Sequence, residues 1–159
     1  MAMARYPFVL SLLLAGLLLG LTSCKNQYLT GSWSRQAYID SVNWRKPVRT
    51  GYSPDAAYLD SIQAQDSFDV LIFAGSWCNS SRRWMSRFFA YDSLLPIRDL
   101  EILSVDTTKI DRDGRVFKHR VDSIPTFIFF RDSVELGRVE VKPHRRKLEK
   151  AIWEAVKGQ

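Results

Sequence analysis

The chain has 159 residues, a length that suits one domain with attachments. Its hydrophobic fraction of 46% and charged fraction of 25% exclude a largely disordered or collagen-like chain. Cys24 and Cys78 are the only cysteines, so a disulfide-rich scaffold and a cysteine-based metal cluster are excluded as well. The formal net charge is +6. Residues 1–23 hold one basic residue, Arg5, and no acid, so the remainder stays mildly basic. Its basic residues are scattered apart from Arg82-Arg83, Lys142 and the run His144 to Lys147. No ladder of alternating aromatic and basic residues is present, and no nucleic-acid partner is expected. The expected surface is solvated and basic, with weak attraction to anionic lipid headgroups.

In chain order, Arg5 precedes an apolar run from Phe8 to Leu21. A membrane-spanning helix needs about 20 such residues, so this run is short for a permanent span. A charged start, a short apolar core and a small-residue exit predict a secretory signal over residues 1–23. The exit Leu21-Thr22-Ser23-Cys24 resembles the lipobox of bacterial lipoproteins. That resemblance implies cleavage before Cys24 and acylation of its sulfur and new amino group. A multiply acylated terminus anchors firmly to a membrane. The resemblance also implies a location in the bacterial envelope, facing the periplasm. Lys25, rather than Asp, follows the cysteine, and in Gram-negative lipoproteins this pattern permits outer-membrane sorting. With Cys24 tied up in a thioether, Cys78 is left as the free thiol.

Residues 24–52 show no sustained period and mix small polar residues with Tyr28, Trp33, Tyr38 and Trp44. They are expected to form a tether that becomes partly ordered against a domain spanning residues 53–159. Ser53-Pro54-Asp55 is a helix-start signal, with Tyr58 and Ile62 on one face of the helix that follows. Phe68–Ala74 predicts a strand, and its core Val70–Ala74, apolar without alternation, is that of a strand buried on both faces. After the turn Gly75-Ser76-Trp77, a helix is expected from about Cys78 to Leu95, with Trp84, Met85, Phe88, Phe89 and Tyr91 inward. Pro96 marks its end. Leu100–Val105 predicts a second strand, and a short helix is expected near Gly114–His119. Thr126–Phe130 and Val134–Val141 predict a hairpin across the turn Arg131-Asp132-Ser133. Leu148, Ala151, Ile152 and Ala155 share one face of a last helix. This order predicts an α/β domain: a central mixed four-stranded sheet with helices on both faces. Two parallel strand–helix–strand crossings are expected, then an antiparallel hairpin.

The chemistry concentrates where the first strand gives way to the second helix. A helix N-terminus offers unpaired N–H groups and the positive end of the dipole, which favour a thiolate. Cys78 falls there, with Arg82 and Arg83 one turn on. A thiolate so placed attacks disulfides. The segment Trp77-Cys78-Asn79-Ser80-Ser81 resembles the Trp-Cys-x-x-Cys motif of the thioredoxin family, and Ile124-Pro125-Thr126-Phe127 resembles that family's cis-proline segment. The resemblance spans roughly residues 54–157. It implies a thioredoxin-like fold, with Cys78 as nucleophile and Trp77, Asn79, Ser80 and Ser81 around it. It further implies that Ile124 and Pro125 receive an extended substrate backbone.

Three positions depart from the family pattern. Ser81 replaces the resolving cysteine, Ile72 stands where thioredoxins carry a buried acid, and Ile102 is near the position of the matching lysine. The implied activity is thiol–disulfide exchange on protein or small thiol and disulfide substrates, without an internal disulfide. It would be isomerase-like or deglutathionylating rather than net dithiol reduction. The alternatives are a redox-silent module that binds an envelope partner on the same surface and a structural lipoprotein. No cofactor and no metal are expected. His119 and His144 are isolated, and Asp111-Arg112-Asp113-Gly114, which resembles part of a calcium loop, lacks the later ligands and reads as a turn.

Overall fold

The structure is a computed structural model, and it describes residues 28–42, 44, 51–141 and 147–158. The signal segment, Cys24, Lys142 and His144 lie outside the described residues. Among the described residues, no helix is long and apolar enough to cross a membrane.

Five strands form one sheet: β1 (Gly31–Ser34), β2 (Phe68–Ala74), β3 (Ile97–Ser104), β4 (Thr126–Arg131) and β5 (Val134–Glu140). Their order across the sheet is β1-β3-β2-β4-β5. The helices are α1 (Arg35–Ser41), α2 (Ala56–Gln63), α3 (Asn79–Phe88), α4 (Arg115–Lys118) and α5 (Leu148–Val156), with a 3-10 turn at Asp92–Leu94.

The mixed sheet flanked by helices agrees with the expectation, but the helix expected to run to Leu95 stops at Phe88, before the 3-10 turn, and three further details differ. The sheet has a fifth strand: β1, from the segment expected to be a tether, pairs antiparallel with β3, Trp33 opposite Ile102. One strand–helix–strand crossing is parallel, β2–α3–β3. The second connection instead delivers β4 antiparallel to β2, with Phe73 opposite Thr126. The connection holds only one short helix, α4, whose four residues span about 6 Å and do not form a crossover helix along the sheet. The chain thus leaves β3 and enters β4 at the same end of the sheet. Finally, the cap of α2 is Asp55 rather than Ser53; its carboxylate accepts from the Ala57 N–H at 3.2 Å.

Strict alternation in β2 divides the core in two. Phe68, Val70, Ile72 and Ala74 face a large cluster that holds Trp84, Met85 and Phe88 of α3, Ile62 of α2 and Ile152 of α5. Phe88 and Phe127 stack there with centroids 5.2 Å apart. Each fully buried Phe or Ile contributes about 1.5–3 kcal/mol. Leu71 and Phe73 face a smaller cluster with Leu103, Val105, Ile124 and Ile128. That face is covered by Val116 of α4 and by Val121, Trp77 and Cys78. The β4–β5 loop is two residues, Asp132 and Ser133, with φ of 49° and 68°. This is the mirror-image turn whose twist suits a tight hairpin.

Candidate active site

β2 ends at Ala74, and four residues later the chain enters α3. Cys78 is the N-cap residue of that helix and its side chain is half-buried. The first helical bond runs from the Arg82 N–H to the Cys78 carbonyl at 3.0 Å. The amides of Asn79, Ser80 and Ser81 therefore precede the hydrogen-bonded ladder. Asn79 is exposed, Ser80 half-buried and Ser81 fully buried.

The Ile124–Pro125 peptide is cis, and both residues are buried. The Cys78 thiol points to the Ile124 carbonyl across 4.0 Å. Because β4 runs antiparallel to β2, its first residues stand beside the last residues of β2, which brings these motifs together from 46 positions apart. The Pro125 carbonyl accepts from the Val141 N–H at 3.3 Å, which fixes the proline from its far side. Cys78, Trp77, Ile124 and Pro125 thus share one end of the sheet.

Ser81 faces inward. Its hydroxyl accepts the Gly75 N–H at 3.2 Å and so satisfies a buried donor of the turn before Cys78. Trp77 lies over that turn and donates its indole N–H to the Val105 carbonyl at 3.0 Å. A Cβ at residue 75 would come within 2.8 Å of Trp77 Nε1 and 3.0 Å of Ile124 Cδ1. Gly75 is thus set by this close approach, not by an unusual φ.

The segment 28–44 supports the site from outside the expected motifs. Leu29 donates its N–H to Ser76 Oγ at 3.0 Å, and the Trp44 indole donates to the Ser76 carbonyl at 3.2 Å. Trp44 packs edge-on against Tyr38 at 5.9 Å. Tyr38 is fully buried, and burial first, with a small contribution from the Cys78 charge, pushes its hydroxyl up to about 12 against the pull of Ser104. Arg35 clamps the same segment to the core through a two-pronged pair with buried Asp92 and a bond to the Phe89 carbonyl at 3.2 Å. Neither Ser76 nor Leu29 carried a signal in the sequence. The spaced aromatics of 28–44 were the available hint.

Among the described residues, no group of three or more His, Cys, Asp or Glu side chains converges on a possible metal position. His119 packs between Phe73 and Phe130 at 5.7 and 5.9 Å. Burial, then neighbouring Arg115 and Lys118, holds its imidazole below the ordinary value. The Asp111 carboxylate accepts from the Arg115 and Val116 N–H groups, both at 2.8 Å, and so caps α4. Burial pulls its pKa up, but these amide bonds together leave it below the ordinary range.

No family model matches the chain, and no curated protein matches it. Solved structures do. Thioredoxin 2 from Pseudomonas aeruginosa PAO1 in its reduced form is 28% identical, with a TM-score of 0.40, over 67% of this chain and 94% of that one. Thioredoxin from Trypanosoma brucei brucei is 21% identical with a TM-score of 0.40, over 66% and 85%. Mitochondrial thioredoxin 3 from Saccharomyces cerevisiae, in its oxidized form, is 16% identical with a TM-score of 0.39, over 64% and 87%.

Proposed function

We propose that this chain is a lipid-anchored envelope protein that carries out thiol–disulfide exchange through Cys78 alone. The observation that carries the reading is the placement of the Cys78 thiol at the start of α3, half-buried and 4.0 Å from the Ile124 carbonyl. Anchoring rests on the sequence signal that ends at Cys24.

The Cys78 thiolate attacks one sulfur of a client disulfide. The client S–S bond breaks, a Cys78–client bond forms, and the second client sulfur departs with the electron pair as a thiolate. Ser81 offers no sulfur to reverse this. Release therefore comes from outside: a second client thiolate, or a small thiol such as glutathione, attacks the mixed disulfide and returns Cys78 as thiolate. When the client's own thiol does so, the net result is isomerisation. When a small thiol attacks an adduct that Cys78 holds with another small thiol, the result is deglutathionylation. Trp77, braced on Val105, packs against the same apolar cluster as Cys78. The Ile124 backbone makes no hydrogen bond to a described residue other than the Cys78 contact, which leaves it for an extended client segment to pair with.

The test is trapping in the native envelope, with acid quenching and blocking of free thiols. Clients disulfide-linked to Cys78, lost in Cys78→Ala and on reduction, are expected. Partner capture that survives Cys78→Ala and reducing agent would replace this reading with the redox-silent binding module.

A further inference from the structure

The loop 106–111 and α4 enclose an open groove of about 580 Å³, within the size range of binding clefts. Its apolar wall is Ile110, Val116, Phe117 and Val121. Phe117 is 88% exposed and Ile110 72%, the two most exposed large apolar side chains among the described residues. Isolated exposed apolar residues are ordinary; two on one concave surface mark a contact surface. Val116 and Val121 also pack against the cluster of Leu71, Phe73, Leu103, Val105, Ile124 and Ile128, as Trp77 and Cys78 do, so the groove and the thiol site rest on one apolar support.

Basic residues outnumber acidic ones in its lining: Lys109, Lys118 and Arg120 against Asp111 and Asp122. The Asp111 carboxylate is turned to the amides of Arg115 and Val116. The backbone gives a second, independent sign. Among the described residues, four non-glycine residues have positive φ. Asp132 and Ser133 are explained by their hairpin turn. The other two are Lys109 at 58° and Arg120 at 51°, both on this groove. Arg120 closes α4: its N–H bonds the Phe117 carbonyl and the Val121 N–H bonds the Val116 carbonyl, both at 3.0 Å. That is the helix-end motif in which glycine is the usual occupant of the left-handed position. An arginine there is a conformational cost retained for its side chain, a pattern that concentrates at functional sites.

We propose that this groove docks an acidic, apolar-rich extended segment of the client protein whose disulfide meets Cys78. The proposal rests on the exchange reading for the identity of the client, and it assigns that client a chemistry: apolar side chains against Phe117 and Ile110, with carboxylates toward Lys109, Lys118 and Arg120. Concavity and the support shared with the thiol site favour a peptide over a flat lipid surface.

The test uses the full chain carrying Cys78→Ser and a short fluorescent peptide without cysteine, alternating Glu with Leu and Phe, against a matched peptide with Lys for Glu. Fluorescence anisotropy reads binding without any thiol step. Failure of the exchange reading leaves this measurement unaffected. The acidic peptide is expected to bind about tenfold tighter than the basic one, and Phe117→Ser to weaken it about tenfold. Arg120→Gly is expected to weaken the acidic peptide severalfold while raising the thermal midpoint, since glycine fits the left-handed position. Equal binding of the two peptides, or indifference to both substitutions, overturns the proposal. So does Phe117-dependent binding to phosphatidylglycerol vesicles without peptide preference, which would assign the surface to membrane. Self-association in sedimentation that Phe117→Ser abolishes would assign it to a second copy and also overturn it.

Discussion

The Trp44 indole N–H reaches the Ser76 carbonyl at 3.2 Å, and so a residue far outside the Cys78 motif holds the turn that leads into it. Trp44→Phe keeps a ring against Tyr38 and removes only the donor. It is expected to cost about 0.5–1.5 kcal/mol. The specific readout is amide hydrogen exchange, which should quicken at Ser76 and Trp77 and stay unchanged in β4. Uniform quickening across the domain would mean that Trp44 serves general packing instead.

Ser81 offers two opposed substitutions. Ser81→Ala strands the buried Gly75 N–H, at an expected cost of about 1–3 kcal/mol by denaturant unfolding. Mixed-disulfide formation by Cys78 should persist. Ser81→Cys supplies a second sulfur three residues on, a neighbouring position on a helix. Trapped clients should then be released, and mass spectrometry should find an intrachain bond between residues 78 and 81. Clients that stay bound to the Ser81→Cys variant would show that release is limited elsewhere.

Gly75→Ala places a methyl group 2.8 Å from Trp77 Nε1. The indole must move, and its bond to the Val105 carbonyl should break. The Trp77 indole N–H resonance should shift and exchange faster with solvent. An unchanged indole resonance would mean that the backbone of the turn shifts to take the methyl group instead.

Acid should loosen the wall of the site. Arg115 holds the Glu101 carboxylate with two bonds, one of 2.6 Å, and keeps its pKa below the usual carboxylate value. A depressed folded value means that the stabilisation is complete above the unfolded value, about 4.3. It is lost as pH falls through the folded value. The pair is partly exposed, so its effect is screened. The thermal midpoint of the wild type should exceed that of Glu101→Gln near pH 5, and the gap should close on further acidification. His119, held below its ordinary value, also destabilises as pH falls below about 6.5, in wild type and variant alike, and comparing the two at each pH removes its share. A gap independent of pH would refute the assignment.

The elements that read clearly from sequence are those whose pattern is local. The apolar run Val70–Ala74 of β2, the helical spacing of Trp84, Met85 and Phe88, and the last-helix face of Leu148, Ala151 and Ile152 all follow from short-range pattern. β1 did not. Its four residues gain a strand only by pairing with β3, about seventy positions away, and Gly-Ser-Trp-Ser has no strand pattern of its own. The direction of β4 was misjudged for a related reason: strand order in the sequence says nothing of where a connection lands. At the site, Cys78, Trp77, Ile124 and Pro125 were legible because two motifs named them. Ser76, Leu29 and Val105 act through backbone and hydroxyl groups that many residues carry, and only the folded geometry singles them out.

The stretch from Val105 to Ile124 begins and finishes on one rim of the sheet, since β4 turns back beside β2. Its two anchor points are fixed by strand pairing and not by what lies between them. Residues inserted or exchanged at its exposed positions, away from Val116 and Val121, would bulge into solvent while the carbonyl facing Cys78 kept its station. On the exchange reading, one surface excursion can therefore be rewritten to suit a different client while Cys78 and the carbonyl it faces stay as they are.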